Sequence, residues 1–467
     1  MNSKSGSSKY IYRGLCMILL AVLAEASFYI CWRMLVRDVV MEMMVVNEYL
    51  FGMGNMGMSL LIYLVLYLSI GKLLYAFRIG VERTANIAAS QALTFLVVDT
   101  LEILISMAIA GNFRFVLIFA AYYAVLFVVQ TLVIGVVVIF MIRLYRKLFP
   151  PLMILEIDGE YNNELTVKVN YLIHKYKIIK KINVDAGLEA IEAELAGCDA
   201  VLINDVSAGN ENRILKMCFD KDKRVYFVPK ISDIIVKTSE ELNLLDTPLF
   251  LCRNIGMSTF RRFVKRVMDI VFSGIALVVL SPLMLVTAIA IKLNDGGPVF
   301  FKQERCTIHN KRFMILKFRS MIVDAEKDGR PRPAGENDDR ITKVGRVIRA
   351  TRIDELPQLI NILKGEMSIV GPRPERVENV EFYTKEIPEF TFRSKVKGGL
   401  TGYAQVYGKY NTTALDKLKL DLMYIMNYSI LLDVQIIFET LKIIFRREST
   451  EGFSEERIRD MSGEGRE

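Results

Sequence analysis

Apolar positions crowd the first third of the chain in four long runs, near residues 11–34, 51–75, 90–110 and 114–142. Each is long enough to cross a hydrocarbon core of about 30 Å as a helix. The second and third include glycines, an Asp and a Glu, so their ends are the least defined. Pro150-Pro151 closes the fourth, because proline cannot continue a helical ladder. The period then changes. Short apolar runs at 152–157, 177–182, 200–203 and 224–228 predict buried strands, with helical stretches at 189–196 and 212–219 between them. That alternation predicts a small parallel α/β domain over about 151–250. Residues 152–160, where a nucleotide fingerprint would sit, hold no GxGxxG, which disfavours a dinucleotide site. His174 lies in an ordinary mixed stretch and reads as a surface or satisfied core histidine.

A further apolar run covers 267–293, interrupted by Asp269 and by Ser281-Pro282. It admits two geometries. One is a fifth ordinary span with a proline kink. The other is a helix that bends at Ser281-Pro282 and returns to the side it entered from. The second would bring Lys265, Arg266 and Lys292 to one interface, as snorkelling and the positive-inside bias prefer. Residues 431–445 are apolar with Asp433, Glu439 and Lys442 interleaved and end at Arg446-Arg447, a pattern suited to a helix lying in the interface.

Composition agrees: 52% of the 467 residues are hydrophobic and mean hydropathy is +0.31, too apolar for an ordinary soluble protein. Basic residues set the orientation. Lys4, Lys9 and Arg13 precede the first run, Lys72, Arg78 and Arg83 separate the second and third, and Arg143, Arg146 and Lys147 follow the fourth. The opposite connections carry Arg33 and Arg37 balanced by Asp38 and Glu42, and Arg114. Both termini are therefore expected in the cytoplasm. No small-residue cleavage site closes the first run, so it reads as a retained span rather than a signal. Six cysteines without CxxC spacing and two histidines argue against zinc. The net charge of +8 points to anionic lipid and phosphate substrate, since no RNA or DNA module is present and nucleic acid is not an expected partner.

The densest chemistry lies at Arg349-Ala350-Thr351-Arg352-Ile353-Asp354-Glu355-Leu356-Pro357-Gln358. An adjacent acid pair at an expected helix start follows basic residues at every third position, Arg340, Lys343, Arg346, Arg349 and Arg352. Asp is also a preferred N-cap, so a purely structural role is the alternative. Carboxylates flanked by arginines suit a site that holds a divalent metal and several phosphate oxygens together. Upstream, Lys317 and Arg319 alternate with apolar residues, as in a short hairpin set against a phosphate site. Arg373, fixed between Pro372 and Pro374, loses little entropy when it grips an anion.

Seven motifs in order make the region of about 260–450 closely resemble the bacterial sugar transferase domain of the monotopic phosphoglycosyl transferases. They are Lys265-Arg266-Val267-Met268-Asp269, Ser281-Pro282, Gly297-Pro298-Val299-Phe300-Phe301, Lys317-Phe318-Arg319-Ser320-Met321, Asp354-Glu355-Leu356-Pro357-Gln358, Gly371-Pro372-Arg373-Pro374-Glu375 and Leu400-Thr401-Gly402. Four preceding spans and an α/β domain look like the long form of that family, which starts lipid-linked assembly of exopolysaccharide, capsule or O-antigen. The resemblance implies transfer of a sugar 1-phosphate from a nucleotide diphosphate sugar, a UDP-sugar in the family, to undecaprenyl phosphate. By the same resemblance Asp354 is the nucleophile of a covalent phosphosugar intermediate, Glu355 and Mg2+ complete the site, and Arg349 and Arg373 hold phosphate. Lys317, Arg319 and Arg352 are further phosphate-binding candidates. Asp354 and Glu355 are the expected metal ligands. Ser281-Pro282 maps onto the family's re-entrant break, with Lys265, Arg266 and Asp269 as interface anchors.

The expected fold is membrane α plus α/β. It comprises a four-helix transmembrane bundle at 1–149, a Rossmann-like cytoplasmic domain at 150–255 and a mostly helical catalytic domain at 256–450, with a re-entrant helix over about 264–293. A polar tail at 451–467 completes the chain. The setting is the bacterial cytoplasmic membrane with the site on the cytoplasmic face, and a folded domain between two membrane parts is compatible with a homodimer. The α/β domain reads as regulatory, scaffolding or oligomerising. Three departures from the family pattern touch none of the proposed catalytic residues: 306–311 lacks the usual turn glycines, Gly398-Gly399 replaces Pro-Gly, and Asp338-Asp339-Arg340 lacks a proline. Two other functions compete. A non-enzymatic membrane scaffold or sensor of polysaccharide export predicts a degraded acid pair, and a plain glycosyltransferase predicts a DxD motif with a nucleotide-binding fold.

Overall fold

The computed structural model describes residues 2–43, 53–110, 116–159, 165–170, 172, 174–252, 257–323, 325, 338–408 and 412–444. The expected polar tail, Arg114 and Arg446-Arg447 lie outside them. The chain divides into two compact units, Met1–Val228 and Pro229–Glu467.

The first unit begins with α1 (Asn2–Met43), α2 (Met53–Leu73), α3 (Thr84–Ala110) and α4 (Val116–Leu148). All four are long and apolar enough to cross a membrane. They share an aromatic core in which Phe28 stacks on Tyr63 with ring centroids 4.1 Å apart, and Tyr67 on Phe95 at 5.3 Å. α3 starts six residues before the apolar run that predicts it, because Thr84, Asn86 and Ser90 open it with polar side chains. Arg13 Nε donates to Ile79 O at 3.0 Å, tying α1 to the turn after α2. Gly80 in that turn has φ +73° and lies under the Tyr145 ring, where a Cβ would sit 2.2 Å from Cε1.

The chain continues through β1 (Leu152–Asp158), α5 (Leu165–Asn170), β2 (Tyr176–Asn183), α6 (Leu188–Glu194), β3 (Ala200–Asn204), α7 (Ala208–Asp220) and β4 (Arg224–Phe227). The four strands form the expected parallel sheet in the order β2-β1-β3-β4. β3 is buried throughout, as a central strand covered on both faces must be. Gly159 at the end of β1 abuts the Asp205 carbonyl, which a Cβ would meet at 1.9 Å. The turn is thus filled by backbone at the position where a phosphate loop would open.

The second unit starts with α8 (Ile231–Val236) and an antiparallel hairpin of β5 (Glu240–Leu244) and β6 (Thr247–Leu251). The hairpin is a two-stranded sheet of its own. Next comes α9 (Thr259–Asp295), capped by Ser258 at one end and by left-handed Gly296 at the other. It is the fifth helix long and apolar enough to cross a membrane. The rest comprises β7 (Phe300–Cys306), β8 (Arg312–Phe318), α10 (Lys343–Ala350), α11 (Gln358–Lys364), β9 (Ser368–Val370), α12 (Val377–Glu386), β10 (Gly399–Thr401), α13 (Tyr403–Tyr407), α14 (Ala414–Met426) and α15 (Ile430–Ile444).

α9 fastens to this unit along its length. Ala276, Leu277 and Leu280 pack on Phe313, Ile315, Leu359 and Ile362, and Ile291 packs on Phe318 and Ile348. In its first turns Lys265, Arg266 and Asp269, expected as interface anchors, bond to groups of the protein. Lys265 is buried against Asp433 of α15 at 2.5 Å. Arg266 donates to the carbonyls of Ile362 and Leu363 at 2.6 and 2.7 Å, satisfying the open C-terminal end of α11. Asp269 accepts from Ser368 Oγ and from the Ile369 backbone N–H, both at 3.0 Å. α15 likewise turns Asp433 and Lys442 inward. Burying a charge is costly without a partner, and these residues are spent on internal pairing.

Candidate functional site

Two strand pairs and two short helices bring the motifs together. β7 and β8 pair antiparallel from Phe300↔Phe318 to Cys306↔Arg312, despite the missing turn glycines. His309 and Asn310 supply the left-handed residues instead, at φ 53° and 55°. Beyond β8, Ser320 O touches α10 so closely that a Cβ on Gly345 would lie 1.8 Å from it. Thr342 caps that helix by accepting from Gly345 N at 2.9 Å. α10 ends at Arg349-Ala350, Arg352 takes the left-handed φ of 60°, and the chain enters a 3-10 turn over Ile353–Glu355. A non-glycine residue there stores strain that surrounding structure must hold, a recurrent feature of functional sites.

The acid pair lies in this turn rather than at a helix start, and it does not cap α11, whose N-cap is Pro357. Glu355 is the anchored member: Lys317 Nζ donates to Oε1 at 3.0 Å and Arg373 Nη2 to the same oxygen at 2.8 Å. Asp354 has a buried Oδ1 with no hydrogen-bond partner. Their acidities diverge accordingly. Burial pushes the Glu355 carboxyl up, but the charges of Lys317, Arg373 and Arg352 overcome it and hold the group well below the carboxylate range. Burial and the neighbouring Glu355 charge raise Asp354, against the pull of Lys317, Arg349 and Arg352. The sequence-predicted Asp354, Glu355, Lys317, Arg349, Arg352 and Arg373 therefore converge on one place.

Arg319 does not join them. Its Nη1 and Nη2 grip the Asp295 carboxylate, Nη1 at 2.6 Å, and Nε donates to Pro298 O at 2.7 Å. With its charge neutralised and most donors spent, it latches the end of α9 to β8 and is not placed to bind phosphate.

Sequence reasoning missed the supports of Arg373. Arg393 Nη2 donates to Arg373 O at 3.0 Å while its side chain is locked on Asp421 at 2.8 Å. Arg305 Nη1 donates to Pro374 O at 3.1 Å from the other side. Three glycines allow the surrounding backbone crossing: a Cβ on Gly399 would meet Gly371 N at 2.1 Å, and one on Gly402 would meet Gly371 O at the same distance. Gly398 is a space requirement too, since a Cβ there would meet Pro374 Cγ at 2.6 Å. No local pattern marks Arg393 or Asp421, which lie 28 residues apart.

A carboxylate pair ringed by lysine and arginine, on a unit that carries a long apolar helix, defines a phosphate-handling domain of a membrane protein. The sequence model of the family described as bacterial sugar transferase matches residues 260–447. The chain is 42% identical over 248 residues to a UDP-N-acetylgalactosamine-undecaprenyl-phosphate N-acetylgalactosaminephosphotransferase of Aeromonas hydrophila, covering 52% of this chain and 58% of that one. It is 37% identical over 292 residues to a UDP-glucose:undecaprenyl-phosphate glucose-1-phosphate transferase of Klebsiella pneumoniae, covering 56% and 61%. A sugar transferase of Bacillus subtilis, EpsL, aligns at 36% identity over 43% of this chain and 96% of its own length. The chain belongs to the bacterial sugar transferase family. It spans about three fifths of the length of the first two relatives.

Proposed function

We propose that this protein transfers a sugar 1-phosphate from a UDP-sugar to undecaprenyl phosphate, as the first membrane step in building a polysaccharide. The observation that carries the reading is Asp354, with one buried oxygen free of partners, beside a Glu355 held by Lys317 and Arg373. A carboxylate needs no deprotonation to act as nucleophile near neutral pH. Its oxygen bonds to the phosphorus that carries the sugar, the bond from that phosphorus to the bridging oxygen breaks, and UMP leaves. An oxygen of undecaprenyl phosphate then bonds to the same phosphorus and frees Asp354. The covalent intermediate lets a water-soluble donor depart before a lipid acceptor arrives. Arg349, Arg352 and Arg373 serve the phosphate charge, because phosphoryl transfer depends mostly on positioning and neutralisation.

Mg2+ fits this pair, since it is ordinarily held by one or two carboxylates with substrate phosphates completing its shell, and Asp354 Oδ1 is an unclaimed oxygen. Bound by Asp354 and Glu355, it would neutralise charge on the transferring group.

The same reading makes α9 a re-entrant helix. Lys265 and Asp269 near its start and Asp295 at its end all bond to one folded unit, which a helix crossing the bilayer would have to bridge from opposite sides. Pro282 leaves the Val278 carbonyl without its helical donor, and Ser281 Oγ takes that place at 2.8 Å. With basic residues marking the cytoplasmic ends of α1 to α4, the site faces the cytoplasm, where nucleotide sugars are made.

Purified protein supplied with undecaprenyl phosphate, Mg2+ and a panel of UDP-sugars is expected to release UMP. Asp354→Asn should lose at least about a thousandfold of that rate. Release of UDP instead would replace the reading with a plain glycosyltransferase, and silence across the panel would favour the scaffold.

A further inference from the structure

The sugar-phosphate chemistry leaves one group of buried side chains without a task. Near the middle of the membrane helices, α3 carries Asp99 and, one turn on, Glu102, at 3% and 0% exposure. Both Glu102 oxygens and Asp99 Oδ2 lack any hydrogen-bond partner. Glu25 of α1 lies within electrostatic range of Glu102, and its Oε2 is buried and unpartnered too. An independent sign is Ser59 of α2, fully buried with an unpartnered hydroxyl, one turn from Tyr63 on the same helix face. Tyr63 donates to Asp99 Oδ1 at 3.2 Å, and Gln130 of α4 links Tyr63 at 2.9 Å to Ser27 of α1 at 2.8 Å. All four helices thus supply polar groups at one depth.

We propose that Glu102, with Asp99 beside it, forms an exchangeable proton-binding site inside the membrane part of this chain. No lysine or arginine is paired with either acid among the described residues, and an unpaired carboxylate in hydrocarbon is far costlier than its neutral acid. The groups facing the pair are Tyr63 from α2, Tyr123 from α4, and Glu25 and Cys31 from α1. None is cationic. The Tyr63 hydroxyl can donate to an Asp99 carboxylate or accept from its acid form, whereas Glu102 has no donor on either oxygen.

Dicyclohexylcarbodiimide tests this on the full-length protein in detergent or liposomes. It reacts with a protonated carboxyl in apolar surroundings: the acid proton moves to a carbodiimide nitrogen, the carboxylate oxygen bonds to the central carbon, and rearrangement leaves a stable N-acylurea. Peptide mass spectrometry is expected to find the adduct on Glu102 or Asp99, with its yield falling about tenfold between about pH 6 and about pH 9. A water-soluble carbodiimide should mark exposed acids and spare this pair, and Glu102→Gln should remove the Glu102 adduct. The pH series on the unaltered chain decides the matter even if that variant folds poorly. Absence of an adduct, a yield that ignores pH, or protection by Na+ at fixed pH would each overturn the proposal, the last in favour of a cation site.

Discussion

In the C-terminal unit three buried acids face cations: Asp433 lies against Lys265, Asp421 against Arg393, and Glu355 against both Lys317 and Arg373. In the membrane helices of the N-terminal unit, Asp99 and Glu102 are as deeply buried and meet only hydroxyl, thiol and other acid groups. The first arrangement fixes charge where a phosphate site needs it, and there the strained turn at Arg352 and the free oxygen of Asp354 are the exceptions. The second leaves charge unfixed, so protonation is the available way to settle it. A buried acid taken by cations or other donors, as Asp269 is, thus reads as scaffold, and one with an unpartnered oxygen reads as site.

The comparison breaks most visibly where a pair is split. Asp421 is 1% exposed, and burial lifts its carboxyl to about 6 against the pull of Arg393. Asp421→Ala leaves the buried Arg393 guanidinium with only Glu375, at 3.5 Å, as a carboxylate partner and should cost about 3 kcal/mol, seen as a melting-point drop of about 10 °C. UMP release should fall with it, since Arg393 also holds the Arg373 carbonyl. Replacing both partners with leucine and methionine should be milder, because the Glu375 carboxylate that also meets Arg393 still faces Lys417, Arg305 and Arg373. Equal losses from the single and double variants would show that the pair is not the support described.

A smaller effect sharpens the contrast inside the active site. With Asp354 raised by burial and by Glu355, the rate should fall as pH drops through a value above the ordinary aspartate range of about 3.9, because protonation removes the carboxylate proposed as nucleophile. Glu355 stays charged well below that point and should not shape this limb. In Glu355→Gln the like charge is gone, so the residual activity should keep its acid limb at lower pH. A limb that stayed in place would assign it to another group.

These tests rest on residues that were unequally legible beforehand. Periodicity located the four strands of the sheet and the apolar helices, because one face or the whole of each must be buried. Short motifs singled out Asp354, Glu355 and Arg373, which the fold brings to one place. What escaped was pairing over distance. Lys265 and Asp433 are separated by 168 positions, and Arg319 meets Asp295 only once β8 and α9 have packed. A lysine and an arginine beside an apolar helix look like interface anchors until the fold supplies their partners. Hairpin residues 240–251 escaped for the opposite reason: their alternation is weak, and β5 and β6 are exposed throughout.

The smallest expected effect is also the most specific to α9. The Val278 carbonyl has lost the N–H that residue 282 would supply and accepts from Ser281 Oγ instead. Ser281→Ala should therefore destabilise the full-length protein by about 1 kcal/mol, the net worth of one hydrogen bond. In a Pro282→Ala background the backbone donor returns and the hydroxyl becomes redundant, so the same serine change should cost close to nothing. The difference between the two costs, read from melting curves of the four proteins, is the coupling between serine and proline. A coupling near zero would mean that the pair does not act as one break, and the bend in the proposed re-entrant helix would need another cause.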